Sequence, residues 1–173
     1  MIKFLAGIVF TLLLVPVFIF SYVKLGFVPV ATDAPPLPFE RKLAHMGLNA
    51  KIDADAPKNA PFQASTDDFV SGAHLYRQHC AICHGLPNEP KSFTAQGMYP
   101  RPPQLLKGKG VTDDPAGESY WKIANGIRLT GMPAYKKTLT EKEMWQISQL
   151  LAGADKLPND VMDVLKKAAM IEP

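Results

Sequence analysis

Cysteine is almost missing from this 173-residue chain: Cys80 and Cys83 are the only two, alongside four histidines. No second cysteine pair exists to complete a four-ligand zinc site with Cys80, Cys83 and His84. The βαβ pattern that would surround a thioredoxin-like redox pair is also missing near them. A plain disulfide between cysteines three apart is sterically poor. Excess charge is scarce too. The chain has 19 Lys plus Arg against 16 Asp plus Glu, and residues 66–173 carry 13 against 12. Long-range steering is therefore modest, and no nucleic-acid partner is expected.

What the two cysteines do form is informative. Cys80-Ala81-Ile82-Cys83-His84 is a C-x-x-C-H run. Two thiols at this spacing meet the two vinyl groups of a haem, and the imidazole that follows reaches the iron, so the run reads as a c-type haem attachment site. One covalent haem c, with its iron, is the expected cofactor.

Charge is absent altogether from Phe4 to Val23, and Lys24 closes the run. Twenty helical residues rise about 30 Å, the thickness of a bilayer core. Residues 4–23 are therefore expected to cross a lipid bilayer, with residues 1–26 as the anchor. A cleaved signal peptide is the alternative. Its apolar region is shorter, about 7 to 15 residues, and ends at small residues of the A-x-A kind, whereas Leu25-Gly26-Phe27-Val28-Pro29-Val30 follows here. Pro16 inside the run is tolerated in membrane helices.

Residues 27–65 then turn proline-rich, with Pro29, Pro35, Pro36, Pro38, Pro57 and Pro61. Such density favours extended, semi-rigid backbone and a spacer role. Phe39, Leu43 and Met46 fall at helical spacing and predict a short helix over 39–52, free either to dock on a partner or to pack on its own domain. His45 reads as a solvated linker histidine, although a distal ligand role is conceivable.

The haem domain is expected over residues 66–156. Ser65 or Thr66 caps a helix through Phe69, Gly72, Ala73, Leu75 and Tyr76, with Asp67 and Asp68 in its first turn. Thr140-Glu141-Lys142-Glu143 fits a capping box. The helix it opens lines up Met144, Ile147, Leu150 and Leu151 and closes at Gly153. Residues 157–173 predict one further helix, with Val161, Val164, Leu165 and Ala168 as its stripe.

From about Asp67 to Gly153 the chain resembles class I monohaem cytochromes c. Gly72 and Tyr76 on the first helix, and Trp145 on the last, stand where that family packs its terminal helices together. The resemblance implies an all-α fold, here a haem domain preceded by one transmembrane helix and a proline-rich linker. It also implies a distal thioether from the Gly131-Met132-Pro133 loop, 48 residues after His84. Met98, in Gly97-Met98-Tyr99-Pro100 and only 14 residues after His84, is the rival. The expected cofactor-binding set is thus Cys80, Cys83, His84 and Met132, with His84 and Met132 on the metal. In the family the proximal imidazole donates its other ring nitrogen to a carbonyl of a proline-bearing loop, which points to Pro102 or Pro103. Arg101, Trp121 and Arg128 are candidate propionate partners, against a plain surface role. Asn125 could serve the propionates or cap a helix. His74 and His79 are expected to face solvent.

Lys3 and the amino terminus lie on one side of the apolar run and Lys24 on the other, so the positive-inside count does not orient it. Haem attachment in c-type cytochromes takes place outside the bacterial cytoplasmic membrane, which implies a single-pass inner-membrane protein with its haem domain in the periplasm. His/Met ligation implies a one-electron carrier rather than an enzyme, in a respiratory or photosynthetic chain. It would be tethered alone or fixed in a larger membrane complex. Redox proteins are the expected partners, and no small-molecule substrate is expected. Lys107 with Lys109, and Lys136 with Lys137, are candidates for a basic collar at the haem edge. The alternative is a haem c gas sensor or redox enzyme with an open distal site. A dihaem peroxidase would need a second C-x-x-C-H run, and sensor-type four-helix cytochromes carry theirs near the carboxy terminus, whereas 89 residues follow His84.

Overall fold

The computed structural model describes residues 1–107 and 114–167, and every regular element among them is helical. Two compact units are distinguished, Met1–Leu43 and Ala44–Pro173.

In the first unit, α1 (Ile2–Lys24) is long and apolar enough to cross a membrane, and none of its residues is buried. Helix α2 (Glu40–Asp55) begins in this unit and continues into the second. Its Ile52 is buried, while Phe39, Leu43 and Met46 are exposed. The expected 39–52 helix is present and runs three residues further.

The second unit is built around α3 (Thr66–His79), α6 (Ala116–Asn125) and α7 (Glu141–Ala152), with α7 packed on both of the others. Both long helices open with capping boxes. Ser65 Oγ accepts from the Asp68 amide at 3.2 Å and Asp68 Oδ2 accepts from the Ser65 amide at 3.1 Å; Thr140 and Glu143 repeat the arrangement. Each box satisfies two of the amides that a helix start leaves unpaired. Asp68 also joins the helices, because its Oδ1 accepts from Gln146 Nε2 of α7 at 2.9 Å.

Helices α3 and α7 cross at Gly72. A Cβ on Gly72 would lie 2.6 Å from the Gln146 carbonyl oxygen, so the backbones approach this closely only without a side chain. The aromatic partners differ from expectation. Trp145 stacks on Tyr120 of α6, ring centroids 4.3 Å apart, while Tyr76 is fully buried and donates its hydroxyl to Gly85 O at 2.8 Å. The reason is α7's central place. Residues two apart on a helix point to nearly opposite sides, so Ile147 joins the core cluster that holds Tyr76 while Trp145 turns to α6.

Helix α8 (Asn159–Lys166) packs on α3 through Val161 and Leu165, both fully buried. Arg77 Nη1 donates to the Leu165 and Lys167 carbonyls, capping α8's last turn. Ala168 of the expected stripe lies outside the described residues. Two short helices, α4 (Ala81–His84) and α5 (Phe93–Gly97), complete the unit next to the cysteines.

Candidate haem site

Helix α3 ends at His79, Cys80 caps it, and α4 carries Cys83 and His84 one turn further on. The three motif residues therefore sit on a single turn at the end of a helix that is itself clamped to α7 and α8. Cys80 packs against the hydrophobic core. Burial first, and then the neighbouring Cys83, pushes the Cys80 thiol up to about 12. Among the described residues no three His, Cys, Asp or Glu side chains converge as a metal-ion cluster.

His84 is oriented by its backbone neighbour. Nδ1 donates to Pro103 O at 2.8 Å, the second of the two acceptors anticipated from the sequence. That bond fixes the tautomer, so Nε2 carries the free lone pair. Burial lowers the imidazole's pKa against the opposing effect of the Pro103 carbonyl, which keeps the ring neutral and able to donate to a metal. Beside it, Gln104 keeps both carboxamide atoms buried without a protein partner. Buried polar capacity that no protein group uses thus lies against Gly85, the residue after His84.

The loop after α6 presents Met132, which is partly buried against the core. Several bonds fasten it. Ile127 N donates to Met132 O at 3.2 Å, Met132 N to Thr130 Oγ1 at 3.1 Å, and Tyr135 N to Ile123 O at 3.0 Å. Gly126, at φ +65°, ends α6, and a Cβ there would lie 2.7 Å from the Pro133 carbonyl carbon, so glycine allows the loop to fold back on the helix. Tyr135 Oη donates to His79 O at 2.8 Å and its ring meets the His79 ring edge-on. One hydrogen bond therefore ties the end of the Met132 loop to the residue before Cys80. It also corrects the expectation for His79, which is half-buried against Tyr135 rather than solvent-facing; His74 is exposed.

Other sequence candidates are dispersed. Arg101 and Arg128 are exposed, and Trp121 is half-buried. Asn125 Nδ2 donates to Trp121 O at 3.0 Å, a helix-end role. Lys107 donates to Glu89 O at 2.7 Å and Lys136 lies 3.5 Å from Asn125 Oδ1, so two members of the suggested collar have local acceptors. Lys109 lies outside the described residues. Met98 comes beside the motif, its Sδ 3.8 Å from Cys83 Sγ. Sequence reasoning missed Tyr135 and Gln104. Neither carries a local pattern, since each acts through a contact between distant segments.

Two thiols on one turn, an imidazole with its outer nitrogen already satisfied and an apolar core beside them fit a covalent haem. A family match agrees. Residues 67–151 match the family described as cytochrome c oxidase, cbb3-type, subunit III. No curated protein matches the chain. Among solved structures, a chain of the Kuenenia stuttgartiensis reducing HAO-like protein complex is similar over 58% of this chain and 49% of that one, at 18% identity and a TM-score of 0.48. This chain thus spans about half the length of that structure. Residues 67–151 are a class I monohaem cytochrome c domain, and its cofactor is covalently bound haem c with iron. Electron transfer with redox partners is the function of such a domain.

Proposed function

We propose that the protein is a membrane-tethered one-electron carrier in which Cys80 and Cys83 hold the haem and His84 Nε2 and Met132 Sδ hold its iron. Bound haem supplies a ferric/ferrous couple. The His84–Pro103 bond is the observation that carries this reading, since it fixes the imidazole in the tautomer a proximal ligand needs. Met132 is favoured over Met98 because its loop is fastened at both ends. Met98 follows a five-residue helix and is absent from the core packing. With His84 and Met132 holding the iron, a bound haem would be limited to exchanging electrons, and a thioether ligand would favour its ferrous state.

The tether supports a place at the bacterial inner membrane with the haem domain periplasmic. Residues 1–26 form the anchor: α1 exposes its apolar side chains along its whole length, a surface that lipid covers at no hydrophobic cost. Residues 27–65 are the linker, 66–156 the haem domain and 157–173 a helical extension. The last part of the linker lies along the haem domain, for Ala64 N donates to Gln149 Oε1 of α7 at 3.1 Å. Membership of a respiratory or photosynthetic chain, as a free carrier or a fixed subunit, is supported by the tether together with the oxidase-subunit family that residues 67–151 match.

The test is Met132→Ala in full-length, haem-loaded protein. The variant is expected to lose the weak thioether-to-ferric-iron absorption band and to show a lower potential than the native protein. An unchanged band and potential overturn the ligand assignment. Co-purification in detergent with other haem proteins at a constant ratio identifies a fixed subunit, and its absence a free carrier.

A further inference from the structure

We infer that Met98 is a positioning residue: it forms a strut between the haem-bearing Cys83 and the loop that presents Met132. The inference rests on Met132 being the distal ligand. Three observations carry it. First, the short helix before Met98 is tied to the motif at its start. Ser92 caps α5 by accepting from Ala95 N at 3.1 Å, its hydroxyl also donates to Ile82 O inside the motif, and Ala95 is 2% exposed. Second, the Met98 sulfur lies 3.8 Å from Cys83 Sγ, an ordinary contact distance for two sulfurs. Third, the other end of the same side chain occupies the space beside Gly131. A Cβ on Gly131 would lie 1.9 Å from Met98 Cε and 3.5 Å from its Sδ.

A side chain at Gly131 would have to push aside the Met98 methyl, which takes that place. They also give Met98 a task. Hydrogen bonds hold the Met132 loop from within, to α6 and to His79, but Gly131 is exposed and has no side chain with which to hold its own flank. Methionine is unbranched and polarizable and fills such an irregular gap without strain. A braced flank keeps the thioether aimed inward and slows the opening that would admit an external ligand.

The experiment is a double-mutant cycle on the full-length, haem-loaded protein in detergent, read by the rate at which carbon monoxide binds the ferrous form and by the ferric thioether band. Met98→Ala and Gly131→Ala are each expected to raise the binding rate by about tenfold, within the range over which contacting residues act. Because both changes undo one contact, the double variant is no faster than the faster single. Met98→Leu, whose side chain stops short of Gly131, raises the rate by less than Met98→Ala does and retains the band. Singles at the native rate, or a double at the product of the two singles, overturn the inference. If Met98→Leu loses the band while Met132→Ala keeps it, Met98 is the ligand and the underlying reading fails instead. Should Met98→Ala not mature with haem, Met98→Leu replaces it in the cycle: its side chain stops short of Gly131, so Gly131→Ala then has a smaller effect than in the native background, and an equal effect overturns the inference.

Discussion

A single carbonyl decides how His84 behaves. With Nδ1 committed to Pro103 O and the ring held neutral by burial, the imidazole has one nitrogen left to offer, and the turn of α4 sets where it points. Tyr76 has a comparable task, donating from a fully buried position to the carbonyl of Gly85, the residue after His84. Tyr76→Phe leaves that carbonyl without its partner and is expected to cost about 1–2 kcal/mol in denaturant unfolding. It should also broaden the response of the haem spectrum to temperature, and a variant as stable as native would show that the bond carries nothing. At this scale the sequence was most legible for residues joined by a short motif. Cys80, Cys83 and His84 announce their chemistry by adjacency, and Pro103 by the loop it sits in. Met98 against Gly131, and Tyr135 against His79, are contacts across 33 and 56 positions. No local spacing encodes them.

Among the elements, α3 and α7 are joined where both cap and crossing converge. Asp68 closes the Ser65 box and accepts from Gln146 across the interface, with Lys142 Nζ 3.5 Å away. The Gln146 bond first, then those from Ser65, hold its carboxyl well below the usual carboxylate range. Glu143 is lowered likewise by Thr140. Both groups have folded-state pKa values below their unfolded ones, so their contribution is complete above the unfolded carboxylate range and is lost as pH falls through the folded values. Melting temperature should therefore drop from about pH 5 toward about pH 2. Asp68→Asn should lower stability by about 1 kcal/mol at neutral pH and flatten that acid limb; an unaltered limb would show that other groups control it. Gly72→Ala drives a methyl into the Gln146 carbonyl and is expected to cost about 1–3 kcal/mol, measured by urea unfolding. Helices α3 and α7 were legible because caps and periodicity are local signals, whereas α6 was not anticipated. Trp145's choice of Tyr120 was not, because α7 is buried on more than one side and periodicity alone cannot say which neighbour each side meets.

Taken whole, the protein joins an apolar helix to a haem domain through a proline-rich segment, and its redox role depends on whether that helix stays. The account predicts that the mature protein retains residues 1–26 in an intact-mass measurement and stays with membranes through an alkaline wash, released only by detergent. A shortened, soluble product would make α1 a signal sequence. The expected order of anchor, linker and haem domain rests on composition, since apolar, proline-rich and capped segments follow one another without overlap. The docking of the linker's end was not, since Ile52 and Ala64 meet the domain through contacts that leave no pattern in the linker itself.

The central claim is a haem iron closed on both faces by His84 and Met132. Its most direct test is the optical spectrum of the reduced, detergent-purified, full-length protein before and after carbon monoxide is added. The account predicts no change over the time of the measurement; conversion to a carbon monoxide-bound spectrum would contradict it and would mark an open distal site of the kind that sensors and haem enzymes use.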